Sequence, residues 1–160
     1  MKKRTAVIGA LVSLMSLGQP LLIGTGTVLT SAAVMLSVPE RAQAESDEFY
    51  FDRAYKKGEE GDYYGAISDY SKAIEINPRY ADAYFNRGWN KDELKDYYGA
   101  ISDYTKAIEI NPRDAQVYGN RGYSKHLLND YKGAINDFNQ ALKIDPNDEK
   151  SYNNLAWTKR

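Results

Sequence analysis

With 160 residues, 21 Lys+Arg against 22 Asp+Glu and no Cys, the chain has room for one or two modest domains and almost no net charge. A formal charge of -1 offers little to the polyanionic backbone of nucleic acid. The missing cysteines exclude disulfides, thiolate metal sites, a Cys nucleophile and a lipid-bearing cysteine. All 14 tyrosines lie at or beyond Tyr50, so composition divides the chain into two unequal parts.

The first part opens with Lys2, Lys3 and Arg4, runs through apolar and small residues from Thr5 to Val38, and closes with Ala42-Gln43-Ala44. A positive start, an apolar middle and small residues at the cut are the layout of a secretory signal, with cleavage expected after Ala44. An uncleaved membrane anchor is the alternative, because about 20 apolar residues span a bilayer. Gln19-Pro20 interrupts the run. Residues 1–44 are thus read as a signal peptide or membrane anchor and residues 45–160 as the folded domain. Losing Lys2, Lys3, Arg4, Arg41 and Glu40 would leave 17 Lys+Arg facing 21 Asp+Glu, a more acidic chain of 116 residues. That is long enough for a small packed domain.

The second part repeats itself. Asp62 to Arg79 reads DYYGAISDYSKAIEINPR and Asp96 to Arg113 reads DYYGAISDYTKAIEINPR, differing only at Ser71 against Thr105. A third copy, DYKGAINDFNQALKIDPN, starts at Asp130, and the offset of 34 residues also separates Pro78, Pro112 and Pro146. Turn signals fall at mid-repeat (Gly61-Asp62, Lys95-Asp96, Asn129-Asp130) and at the closing prolines, which terminate helices. Between them, apolar residues such as Ala66, Ile67, Tyr70, Ala73 and Ile74 follow helical spacing. Each repeat is therefore expected to be a helical hairpin.

Positions are numbered so that the closing proline is 32, which gives repeats 47–80, 81–114 and 115–148. Position 4 then holds Tyr50, Tyr84 and Tyr118; position 8 holds Ala54, Gly88 and Gly122; position 20 holds Ala66, Ala100 and Ala134. Position 24 holds Tyr70, Tyr104 and Phe138, and position 27 holds Ala73, Ala107 and Ala141. This pattern resembles the tetratricopeptide repeat family across nearly all of residues 47–160. The resemblance implies an all-α, right-handed superhelical solenoid of antiparallel hairpins. Residues 149–160 match a first helix without its second and are read as a capping helix, with truncation of a longer array as the alternative.

Two antiparallel helices joined near position 15 bring together positions whose numbers sum to about 31. Position 4 should face 27, position 8 should face 23 and 24, and position 11 should face 20, so that large side chains meet small ones. By the same rule Arg53, Arg87 and Arg121 at position 7 should pair with Asp69, Asp103 and Asp137 at position 23. They depart from the family's usual Leu, as Lys57, Lys91 and Lys125 at position 11 depart from its Tyr. With matching acids beside them, these cations are read as ion pairs and not as a ladder for RNA.

First-helix positions 2, 5, 6, 9, 12 and 13 share the opposite side of the helix. If it faced only water it should be polar, yet it carries Phe51, Tyr55, Phe85, Trp89, Tyr123 and Leu127. The resemblance implies that this side lines a concave groove for extended peptides, in which Asn86 and Asn120 at position 6 would bond the peptide backbone. The candidate peptide-binding set is Phe51, Tyr55, Phe85, Asn86, Trp89, Asp92, Asn120, Tyr123 and His126. Over the three repeats the groove charges are all acidic: Glu48, Asp52, Glu59, Asp82, Asp92 and Glu93. One family branch grips a C-terminal carboxylate with Lys and Arg at positions 2, 5 and 6; those positions here carry neither. A basic or neutral partner segment with apolar side chains is expected.

The sole histidine, His126, has no Cys or second His to complete a zinc site, and Ser124, two residues away on a helix, points in another direction. No catalytic residue, metal or cofactor is therefore assigned. The reading is an exported, monomeric, non-enzymatic adaptor or assembly factor for other proteins, touching membrane only if residues 1–44 stay attached. Structural self-association through the end of the stack is the alternative. The near-identical repeats resemble bacterial, and among them cyanobacterial, members of the family, which points to a periplasm or thylakoid lumen.

Overall fold

The computed structural model describes residues 46–160; the segment read as a signal, with its expected cleavage position, lies outside them. Seven helices follow in order within this range: α1 (Asp47–Glu59), α2 (Tyr63–Ile76), α3 (Ala81–Glu93), α4 (Tyr97–Ile110), α5 (Ala115–Leu127), α6 (Tyr131–Ile144) and α7 (Glu149–Thr158). The described residues contain no strand. The expected all-α repeat architecture is the one observed.

Local chemistry sets the helix ends. Asp62, Asp96 and Asp130 precede α2, α4 and α6, and their carboxylates accept the amides of Gly65, Gly99 and Gly133 at 2.9–3.0 Å. Caps of this kind are each worth about 1 kcal/mol. Just before them, Gly61, Lys95 and Asn129 take positive φ of 82°, 62° and 63°, the left-handed turn that stops α1, α3 and α5. The amides of Asp62, Asp96 and Asp130 then return to the carbonyls of Lys57, Lys91 and Lys125. Glycine and asparagine enter that region easily, whereas Lys95 holds it at a cost of about 1 kcal/mol.

Each hairpin packs on the next, and the first helices α1, α3, α5 and α7 also meet one another along one side. The core alternates small and large: Ala66, Ala73, Ala100, Ala107, Ala134 and Ala141 are sealed beside Tyr70, Tyr104 and Phe138. Gly88 shows why position 8 must be small. A Cβ there would lie 2.9 Å from the Tyr104 ring and 3.3 Å from the Ala100 carbonyl, and Gly122 meets Phe138 in the same way. Gly88→Val should cost about 1–3 kcal/mol through overpacking, read as a lower urea midpoint with an unchanged slope.

The expected ion pairs form. Arg53, Arg87 and Arg121 each grip Asp69, Asp103 and Asp137 through two nitrogens at 2.6–2.9 Å. The expectation that position 11 faces position 20 is corrected. Lys57, Lys91 and Lys125 reach the same carboxylates at 2.7, 2.8 and 2.7 Å, because burial of an anion at position 23 draws in both nearby cations. Arg87 also donates to Ser71 of the preceding repeat, and Arg121 to Thr105. The one difference between the two near-identical segments thus preserves a hydroxyl.

Candidate functional site

The inner side of α1, α3, α5 and α7 bounds a groove. One cavity of about 240 Å³ draws Tyr55 and Glu59 from α1, Phe85, Asn86 and Trp89 from α3, Asn120 from α5 and Lys150 from α7. A second, of about 630 Å³, adjoins it through Gln116, Asn120 and Lys150 and includes Tyr123. Six of the nine expected residues therefore gather at one surface: Tyr55, Phe85, Asn86, Trp89, Asn120 and Tyr123.

The three aromatics at position 9 stand open. Tyr55, Trp89 and Tyr123 are 54%, 36% and 41% exposed, although each follows a fully or almost fully buried residue at position 8. Trp89 is steadied by the edge of Tyr63, with ring centroids 6.1 Å apart. Rigid aromatics held this way lose little freedom when they take up a ligand. Asn86 turns its amide nitrogen back to the Asp82 carbonyl at 2.8 Å, which holds its carboxamide against its own helix.

Three expected residues lie elsewhere. Phe51 stacks on Tyr80 at 4.9 Å and meets Tyr70 edge-on, filling the joint between the first two repeats. Asp92 accepts from the Tyr104 hydroxyl at 2.8 Å and from Ser124 at 2.9 Å. Burial pushes its carboxyl up to about 6, with the two hydrogen bonds pulling the other way. His126 lies against Trp157 with centroids 4.0 Å apart and places Nδ1 2.9 Å from Thr158 Oγ1. Since that hydroxyl donates to the Asn154 carbonyl, its oxygen accepts, and Nδ1 carries the proton.

One rule accounts for Asp92 and His126. Position 12 of each repeat is covered by position 10 of the next: Gly58 by Asn90, Asp92 by Ser124, His126 by Thr158. Position 12 shares a helix side with position 9, but the following hairpin closes over it. Phe85 is intermediate, lining the groove while its ring leans on Tyr104 at 5.9 Å.

Sequence reasoning missed Asn90, Gln116, Ser151 and Lys150. Lys150 corrects the expectation of a groove without basic residues. It sits at position 2 of the partial fourth repeat, and extending the position count into residues 149–160 would have found it.

The model of the TPR repeat matches residues 48–89, and that of the tetratricopeptide repeat matches 81–114 and 115–148. The chain belongs to the tetratricopeptide repeat family. The first TPR of Spaghetti (RPAP3), solved with the HSP90 peptide SRMEEVD, is similar with TM-score 0.69 and 25% identity, covering 71% of this chain and 90% of that one. The Arabidopsis OM64 TPR domain is similar at TM-score 0.69 and 26% identity, covering 71% and 93%. The second TPR domain of human RPAP3, in complex with the HSP70 peptide SGPTIEEVD, reaches TM-score 0.68 and 26% identity over 75% and 98%. No curated protein sequence matches the chain. Tetratricopeptide domains are protein-interaction modules, and the first helices of this one provide the groove.

Proposed function

We propose that this tetratricopeptide protein is an exported, non-catalytic adaptor whose groove holds an extended, basic or neutral segment of another protein. The open ladder of Tyr55, Trp89 and Tyr123, in a groove lined among the described residues by Glu59, Asp145 and Asp148 against the one cation Lys150, is the observation that carries it. The peptides bound by the two RPAP3 domains both end in EEVD. An acidic groove would repel such a tail, so a segment of opposite or no charge fits better. Residues 1–44 supply the export reading, with a periplasm or thylakoid lumen as the compartment; sequencing the mature N-terminus separates cleavage from tethering.

Trp89→Ala should weaken binding of a basic, leucine-containing peptide about 30-fold, a loss of about 2 kcal/mol for a central aromatic anchor. Titration calorimetry checks this, with an acidic peptide as the control. Tighter binding of the acidic peptide would reject the charge preference, and indifference to Trp89→Ala and Tyr123→Ala would make the ladder scaffold. Self-association has its own support: α7 leaves Tyr152, at position 4, 66% exposed, where a second helix packs against the equivalent Tyr50 and Tyr84 of earlier repeats. Gel filtration distinguishes that reading, which expects an oligomer.

A further inference from the structure

The end of the groove differs from its beginning. Position 5 is Phe51 and Phe85 in the first two repeats but Gly119 in the third. Without a side chain there, α7 comes close: a Cβ on Gly119 would lie 2.8 Å from Ser151 Oγ and 3.7 Å from Asp148 Oδ2. Both residues line the cavity of about 630 Å³, a volume typical of ligand pockets.

The Ser151 hydroxyl is the anomaly. Its residue is 1% exposed, it lines this cavity, and its oxygen has no hydrogen-bond partner. A buried hydroxyl left so costs free energy until something bonds it. Two carboxylates stand at the same cavity. Asp148 accepts the Ser151 amide on Oδ1 and Asp145 accepts the Asn147 amide on Oδ1, each retaining a second oxygen. Tyr123, 41% exposed, forms part of the wall. Lys150 is the cation here, exposed and outside any ion pair among the described residues, so the cavity's own charge is negative.

We propose that this cavity is the subsite for one arginine side chain of the bound segment. Its guanidinium donates to Asp148 and Ser151, Asp145 adds to the attraction, and Tyr123 covers the stem. Arginine fits better than lysine because its planar fork carries several donors that bond two acceptors at once. The proposal rests on the groove being a peptide site, and it names the side chain the groove selects.

The test is a titration of the full chain with capped peptide mixtures about ten residues long, with random flanks and a fixed central Arg, citrulline or Glu. Citrulline keeps the shape of arginine and removes its charge. The Arg mixture should bind about tenfold tighter than the citrulline mixture, as expected for a desolvated charge contact. The double variant Asp145→Asn, Asp148→Asn keeps both amide-accepting oxygens and should bring the two mixtures within about twofold, chiefly by weakening the Arg mixture. Equal affinity of the wild type for Arg and citrulline, preference for Glu, or an Arg preference that survives in the double variant would each overturn the subsite. If in those cases Trp89→Ala still weakens every mixture, the groove reading stands alone. Failure of every mixture to bind would overturn both. Should the double variant not fold, the wild-type ratio of Arg to citrulline decides by itself.

Discussion

Asp103→Ala should destabilise the stack by about 3–5 kcal/mol, the range for removing one partner of a buried ion pair. Asp103 is 3% exposed and holds Arg87 through two bonds of 2.8 and 2.6 Å and Lys91 at 2.8 Å. Without it two cations, with side chains only 17% and 21% exposed, face each other unneutralised. The damage should cross the repeat boundary, because Arg87 also bonds Ser71 in the preceding hairpin at 2.9 Å. Chemical denaturation of the variant checks the size, and hydrogen exchange should show weakened protection in α2 and α3 as well as α4. Glu60→Gln is the contrast: the Lys56–Glu60 pair is 3.9 Å apart with both side chains mostly exposed, and its loss should hardly move the midpoint. At the first repeat the same pairing has a pH signature. Arg53, with Lys57 beside it, holds the Asp69 carboxyl down to about 2. An unfolded Asp titrates near 4, so this stabilisation is complete above about pH 4 and lost as pH falls through about 2.

Tyr104→Ala should cost about 3–5 kcal/mol, since it empties a fully buried site that closes on Gly88. Tyr104→Phe isolates the hydroxyl. It removes one of the donors to Asp92 and should cost about 1–3 kcal/mol. The charge on Asp92 makes this site respond to pH in the opposite sense to Asp69. The folded protein holds the Asp92 proton up to about 6, against near 4 when unfolded, so stability is greatest below about pH 4 and falls as pH rises to about 6. Asp92→Asn keeps an acceptor for Tyr104 and removes the charge. It should flatten stability between about pH 4 and 6 and raise it at neutral pH by on the order of 1 kcal/mol. Urea midpoints of wild type and variant at several pH values across that window check the sign. The third repeat is consistent with this account: where Tyr104 has its acid, Phe138 has none, because position 12 there is His126.

How much was legible depended on which surfaces a residue touches. The helices, their caps and turns, and the contact of Gly88 with Tyr104 are local or lie within one hairpin, and the spacing of the side chains specifies them. The pairing of Arg87 with Asp103 follows from the same arithmetic. Position 9 was also readable, as Trp89 projects from the side opposite the packed one. Phe51, Asp92 and His126 were misplaced because they share that projection with Trp89 yet lie where the next hairpin leans in.

By itself, then, the sequence determined the repeat, the hairpin, its small-against-large core, its buried ion pairs and the aromatic ladder, all of which follow from helical period and residue size. Tertiary structure alone decided which groove residues stay open. The angle between successive hairpins depends on the shapes of side chains packed between them, and that angle puts Ser124 over Asp92, Thr158 against His126, and Ser151 and Lys150 at the end of the groove.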